Sequence, residues 1–212
     1  PGNSPAGTQA QGGVVVWVVG DATIDGSETL TSFKQAIHFR ELGFNLHDTM
    51  IYRKDNYMAV PSNRYFGVFE YMFVFAKVSP STFNGLRQPT MYRTKGQSAT
   101  QRNPDGTTSQ FKYERGKETR LRDNVWGISA GYMRSTPDLG AYDHPAMFPE
   151  ELARDHILSW SNAGDTVLDP MCGSGTTLKM AKLHGRKAIG IDISAEYCAI
   201  SAQRVAQEVM AL

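Results

Sequence analysis

The rhythm of hydrophobic positions along the 212 residues divides the chain into three stretches. Val14 to Val19 is an unbroken run of valines and one tryptophan that ends at Gly20-Asp21. An apolar run without alternation predicts a strand buried on both faces of a mostly parallel sheet. Thr31 to Leu42 shows helical spacing, with Phe33, Ala36 and Ile37 inward and a stop at Gly43. Phe44 to Arg53 and Gly67 to Lys77 are aromatic and β-branched runs joined by a loop containing Pro61. They predict neighbouring strands, a hairpin with a long connection.

From Ser79 to about Thr136 that pattern fades, and Gly, Pro, Ser, Thr, Asn and Gln dominate. Regular spacing returns at Pro149 to Trp160, a helix opened by proline and acidic residues with Leu152, His156 and Ile157 on one side. A short strand at Thr166 to Asp169, a helix at Thr176 to His184, a strand at Lys187 to Asp192 and a helix at Ser194 to Met210 follow, with Ser194 as N-cap. Strand, Gly-rich turn, helix, strand, helix is half of a doubly wound nucleotide-binding fold. Residues 1–12 are polar and rich in Gly and Pro, and read as a disordered lead or a cloning remnant.

Composition adds little until it is divided. Hydrophobic residues make up 41% and charged ones 20%, and the net charge is +1, as in an ordinary globular domain. Such a chain buries roughly 70% of its unfolded surface and needs no disulfide or metal staple. Between Arg87 and Arg122, however, nine cations face three carboxylates; the remaining 13 cations and 18 carboxylates leave the rest acidic. A basic segment with Tyr92, Phe111 and Tyr113 among its cations thus sits in an acidic body. No apolar run approaches the ~20 residues of a membrane helix. Cys172 and Cys198, the only cysteines, exclude a disulfide scaffold or a multi-cysteine zinc site. The five histidines show no metal-ligand spacing. The expectation is a reduced, cytoplasmic protein without metal.

The candidate chemistry lies in Asp169-Pro-Met-Cys-Gly173-Ser-Gly175-Thr-Thr177, where a strand turns into a helix. Glycines there permit a tight turn or close approach of a ligand, and the amides of the helix start favour a carboxylate or phosphate. Asp192, at the end of the next strand, can accept hydrogen bonds from ribose hydroxyls. Alone, the glycines fit a plain strand-to-helix turn and Asp192 a carboxylate at a helix start; together they point to an adenosine-containing ligand. A P-loop is excluded, since no Gly-Lys-Ser/Thr follows. Leu178 stands where a dinucleotide site has its third glycine. Asp169 would repel a pyrophosphate but suits the cationic amino group of S-adenosylmethionine.

These residues resemble a family. Asp169 to Thr177 is similar to the methyl-donor loop of DNA amino-methyltransferases, which modify adenine N6 or cytosine N4, with Met171 in place of the usual Phe. His144-Pro-Ala-Met-Phe-Pro149 resembles their other donor-contacting segment, Gly190-Ile-Asp192 and Tyr197 their ribose-binding strand and the helix after it, and residues 12–77 the second half of their catalytic sheet. The resemblance implies an α/β, Rossmann-like methyltransferase sheet with a loop-rich target-recognition insertion, in the permuted order of the beta group. It divides the chain into a lead (1–12), the second half of the catalytic subdomain (13–78), target recognition (79–136) and the donor-binding half (137–212). It implies S-adenosylmethionine as cofactor, bound by Asp169, Pro170, Met171, Gly173, Gly175, Thr176 and Asp192 with His144, Pro145, Ala146, Phe148 and Pro149. Double-stranded DNA is the implied partner, met by Arg93, Lys95, Arg102, Lys112, Arg115, Lys117, Arg120 and Arg122, whose cations can neutralise phosphates or read guanine edges. Homodimerisation and a restriction partner stay open, as do the recognised site and the choice of adenine or cytosine.

The family's acceptor chemistry rests on Asp, Asn or Ser followed by Pro-Pro and an aromatic residue, and no such loop occurs here. Asn3-Ser-Pro-Ala6 has one proline and no aromatic, and Ser79-Pro-Ser81 follows the wrong strand. Two strands expected before Val14 are missing as well. The expectation is therefore an N-terminally truncated, inactive fragment of a prokaryotic or phage-type methyltransferase, with no catalytic residue in the chain. A non-catalytic DNA-binding paralogue and an NAD-dependent oxidoreductase are the alternatives.

Overall fold

The computed structural model describes residues 12–55, 63–90, 98–112, 118–131, 134–136, 138 and 148–206. Two compact units divide them: residues 1–84 with 124–212, and residues 85–123.

In the larger unit the apolar runs become β1 (Val14–Val19), β4 (Asn45–Arg53) and β5 (Phe69–Ala76), with a small hairpin of β2 (Thr23–Ile24) and β3 (Ser27–Glu28) between the first two. β4 and β5 pair antiparallel, as the expected hairpin requires, with a register shift between Leu46 and Asp48. β5 is the centre of the sheet: Met72, Phe73, Val74, Phe75 and Ala76 are all buried. β1 departs from expectation. It pairs antiparallel with β5, and all six residues are only half-buried. The β-branched run correctly gave a strand, but among the described residues its second edge has no partner strand.

Helix α1 (Thr31–Glu41) forms where the spacing placed it, but with another face inward. Phe33 is 45% exposed and Ile37 60%, whereas Ser32 is fully buried. Phe39 provides the anchor, stacking on Phe75 with ring centroids 4.6 Å apart and meeting Trp17 at 5.2 Å. An aromatic stack on the sheet decides the helix rotation more strongly than the spacing of smaller apolar residues. Asp21 supplies the start that α1 lacks from its own Leu30: the carboxylate accepts the Ser32 amide at 3.0 Å and the Ser32 hydroxyl. The Ser32 hydroxyl bond holds the Asp21 carboxyl below its ordinary range. Asp21 is thus a helix-capping residue.

The second unit contains β6 (Arg87–Pro89), β7 (Ser98–Arg102), β8 (Thr108–Lys112) and β9 (Thr119–Leu121), paired antiparallel as β6 with β9 and β7 with β8. Back in the larger unit, β10 (Val125–Gly127) runs parallel to β4 and closes the order β1-β5-β4-β10. Then come α2 (Glu150–Trp160), β11 (Thr166–Asp169), α3 (Thr176–Leu183), β12 (Lys187–Gly190) and α4 (Ala195–Ala206). β11 and β12 pair in parallel as a separate two-stranded sheet. Leu152, His156 and Ile157 are buried on α2 as expected, and Ala153 and Ile157 pack on Met180 and Ala181 of α3. His156 also bridges to the large sheet, with Nε2 3.2 Å from the Met72 sulfur and its ring 4.6 Å from Trp126. Ser194 caps α4, its hydroxyl accepting the Tyr197 amide at 3.3 Å. No described helix is long and apolar enough to cross a membrane.

Candidate functional site

A cavity of about 640 Å³ lies in the larger unit, within the range of small-molecule sites. The β11–α3 bend lines it with Asp169 to Ser174, Thr176 and Thr177, and β1 with Val14 to Val18. Phe148, the α2 residues Ala153, His156, Ile157 and Trp160, and Thr166 to Leu168 of β11 also line it. Of the residues singled out from the sequence, Asp169, Pro170, Met171, Gly173, Thr176 and Phe148 line this space. Thr177, which closes the quoted loop, lines it as well, as do Val14 to Val18 and Trp160, which no local motif marked as site residues.

The bend has a defined internal geometry. Asp169 Oδ1 accepts the Met171 amide at 3.1 Å. Asp192 Oδ2 accepts the Gly173 amide at 2.9 Å, and its Oδ1 accepts the Ser194 amide at 2.9 Å. The amides of Cys172 and Gly175 donate to the carbonyls of Ile191 and Cys172. The expected stock of free amides is therefore smaller than the glycines suggested, because four of the bend's N–H groups shape the bend itself. Both carboxylates converge on one bend. Asp169 lines the cavity directly, while Asp192 reaches it through Gly173. A carboxylate offers about four acceptor sites, so two bound amides do not by themselves exhaust Asp192.

Two glycines are dictated by close approach. Gly175 has φ +80°, and a Cβ there would lie 2.3 Å from Ser201 Oγ on α4. Gly190, at the end of β12, leaves room for Leu178 and Cys172: a Cβ would stand 2.4 Å from Leu178 Cδ1 and 3.0 Å from Cys172 Sγ. Leu178 thus fills the space beside β12 from α3. Cys172 is buried, and burial, with Asp169 and Asp192 adding, pushes its thiol above the ordinary range. That makes it a wall residue, since nucleophilic cysteines need the opposite shift.

The remaining expected residues are placed unevenly. Pro149 is buried at the N-cap position of α2 and is not among the cavity-lining residues. His144, Pro145 and Ala146 lie outside the described residues, as do Arg93, Lys95, Arg115, Lys117 and the side chain of Lys112. In the smaller unit Arg102 is exposed on β7, and Arg122 donates its amide to Leu86. Arg120 is engaged: its guanidinium forms two hydrogen bonds to Asp123, which also accepts from Gln88. Those partners, Arg120 first, hold the Asp123 carboxyl down at about 2. No metal-binding group of His, Cys, Asp and Glu occurs among the described residues.

With this geometry in place, comparison with known proteins is decisive. A family model described as DNA methylase, covering N6 and N4 enzymes, matches residues 8–203. The chain belongs to the DNA methylase family. It is 54% identical over 199 residues to the orphan methyltransferase M.BamHII of Bacillus amyloliquefaciens, covering 92% of this chain and 75% of that protein. Among solved structures, the PvuII cytosine-N4-specific DNA methyltransferase superposes with a TM-score of 0.67 at 19% identity, over 94% of this chain and 66% of that one. The Thermus thermophilus protein TTHA0409, solved in complex with S-adenosyl-L-methionine, gives a TM-score of 0.54 at 25% identity, over 92% of this chain and 70% of that one. The methylase therefore has the α/β methyltransferase fold that its donor-half motifs implied.

Proposed function

We propose that residues 1–212 carry the S-adenosylmethionine site and a DNA-contacting unit of a methyltransferase acting on the exocyclic amino group of adenine or cytosine. The observation that carries this reading is the convergence of Asp169 and Asp192 on a single glycine bend beside the cavity. Asp192 accepts the ribose hydroxyls, Asp169 faces the donor's ammonium group, and Phe148 and Met171 supply apolar contact to the adenine. When bound, the donor supplies a sulfonium-activated methyl group. The protein's task is to hold it in line with the acceptor nitrogen, since positioning provides much of the rate. Arg93, Lys95, Arg102, Lys112, Arg115, Lys117 and Arg122 meet phosphates or bases. Arg120 contributes less than the sequence suggested, because Asp123 already neutralises it.

The acceptor-activating loop is assigned to sequence outside these 212 residues. Two observations support that assignment. No Pro-Pro-aromatic motif occurs in the chain. Residues of β1 and of β11 line the cavity, and among the described residues β1 pairs only with β5 and β11 only with β12, so each strand has one edge without a partner strand. Such edges accept an extended segment.

Incubating the chain with tritiated donor and duplex DNA of mixed sequence separates these statements. Donor is retained, DNA binds with an affinity that falls steeply with salt, and no methyl group enters the DNA. Methyl incorporation would contradict the assignment of the loop, and failure to retain donor would contradict the site.

A further inference from the structure

Beside the glycine bend, four charged side chains from separate parts of the larger unit meet. Asp138 precedes α2, Glu150 opens it, Lys179 lies on α3 and Arg204 on α4. Lys179 Nζ is 2.7 Å from Asp138 Oδ2 and 2.8 Å from Glu150 Oε1. Arg204 Nη2 lies 3.3 Å from each of the same two oxygens. Two cations face two carboxylates, so the cluster is neutral although Arg204 is only 5% exposed. Burial pushes the Asp138 carboxyl up, but Lys179 and Arg204 outweigh it and hold the group below its ordinary range.

The other end of the Arg204 guanidinium reaches the bend. Nη1 donates to the Ser174 carbonyl at 2.6 Å, to the Ser174 hydroxyl at 3.1 Å and to the Thr176 hydroxyl at 3.2 Å. One planar group therefore joins the bend to the carboxylates of the segment around α2. A lysine, a compact point charge on a flexible stem, cannot span both ends at once. Asp192 holds the same bend through Gly173, one residue before Ser174.

We infer that Arg204 is a positioning residue for donor binding: it fixes the Ser174 carbonyl and the Thr176 hydroxyl so that the bend is preformed before the donor arrives. This rests on the donor reading of the bend. A preformed site loses less conformational freedom on binding, which appears as affinity.

The test is Arg204→Lys, with Arg154→Lys on α2 as control, because Arg154 pairs with Asp155 and Glu151 and is not among the residues lining the cavity. Amide hydrogen exchange is read on the donor-free protein, and S-adenosylmethionine affinity by calorimetry. In Arg204→Lys, exchange over residues 174–176 accelerates at least ten-fold and Kd rises at least ten-fold, while Arg154→Lys changes neither. Unchanged exchange over 174–176 in folded Arg204→Lys, or unchanged Kd, overturns the inference. Should that variant not fold, Thr176→Val, which removes one loop-side acceptor, is read by exchange alone with the same two outcomes. A wild-type chain that binds no donor sinks the donor reading, whereas a wild-type chain that binds donor while the bend amides ignore Arg204→Lys sinks this inference alone.

Discussion

Asp192→Ala lowers affinity for S-adenosylmethionine by roughly 100-fold or more and leaves DNA affinity largely intact. Hydrogen bonds to a charged group are worth about 1.5–3 kcal/mol each, so losing two ribose contacts accounts for a loss of that size. The substitution also removes the acceptor of the Gly173 amide, 2.9 Å from Oδ2, and so loosens the bend. A donor analogue without ribose hydroxyls separates the two effects. If the ribose contact dominates, the analogue binds wild type weakly and is almost indifferent to Asp192→Ala. Equal losses for donor and analogue would assign the residue to loop geometry, and unchanged donor affinity would remove the ribose role.

Gly175→Ala destabilises the fold by about 2–5 kcal/mol, which for a chain of this size lowers the melting temperature by roughly 5–15 °C. Two terms contribute. The residue sits at φ +80°, where a side chain costs about 1–2 kcal/mol. The new Cβ would also lie 2.3 Å from Ser201 Oγ and 3.0 Å from the Ser201 Cα, so α4 or the bend has to move. Gly164 is the natural control, with φ +89° but open space around it. Gly164→Ala therefore carries only the backbone term, and calorimetric melting of the two variants isolates the packing term. Equal melting temperatures would mean that α4 yields freely at Ser201.

The parts of this site that were legible in the sequence are local in the chain. Asp169 to Thr177 joins a strand to a helix within nine residues, and Asp192 follows the next strand, so adjacent elements alone bring these groups together. The hairpin of β4 and β5 was legible for the same reason: two apolar runs flank one connection. What escaped depends on distant partners. Phe33 and Ile37 carry helical spacing, but Phe75, 36 residues beyond Phe39, selects which face of α1 turns inward. The strands β7 and β8 read as loops because Ser98–Arg102 and Thr108–Lys112 are largely polar, with little hydrophobic alternation to reveal them. Arg204 is not singled out by any local motif, since it stands as one charge near the end of a helix. A signal did exist, since Tyr197, Ser201 and Arg204 share the inward stripe of α4, at spacings of four and three. What it contacts, Ser174 and Asp138, lies 30 and 66 residues away and is set by tertiary packing.

The most direct test is a titration of the purified 212-residue chain with S-adenosylmethionine and, separately, with NAD, followed by calorimetry. The account predicts saturable binding of one S-adenosylmethionine per chain and no heat from NAD. A folded chain that takes up NAD, or that ignores the sulfonium donor at millimolar concentration, would contradict it.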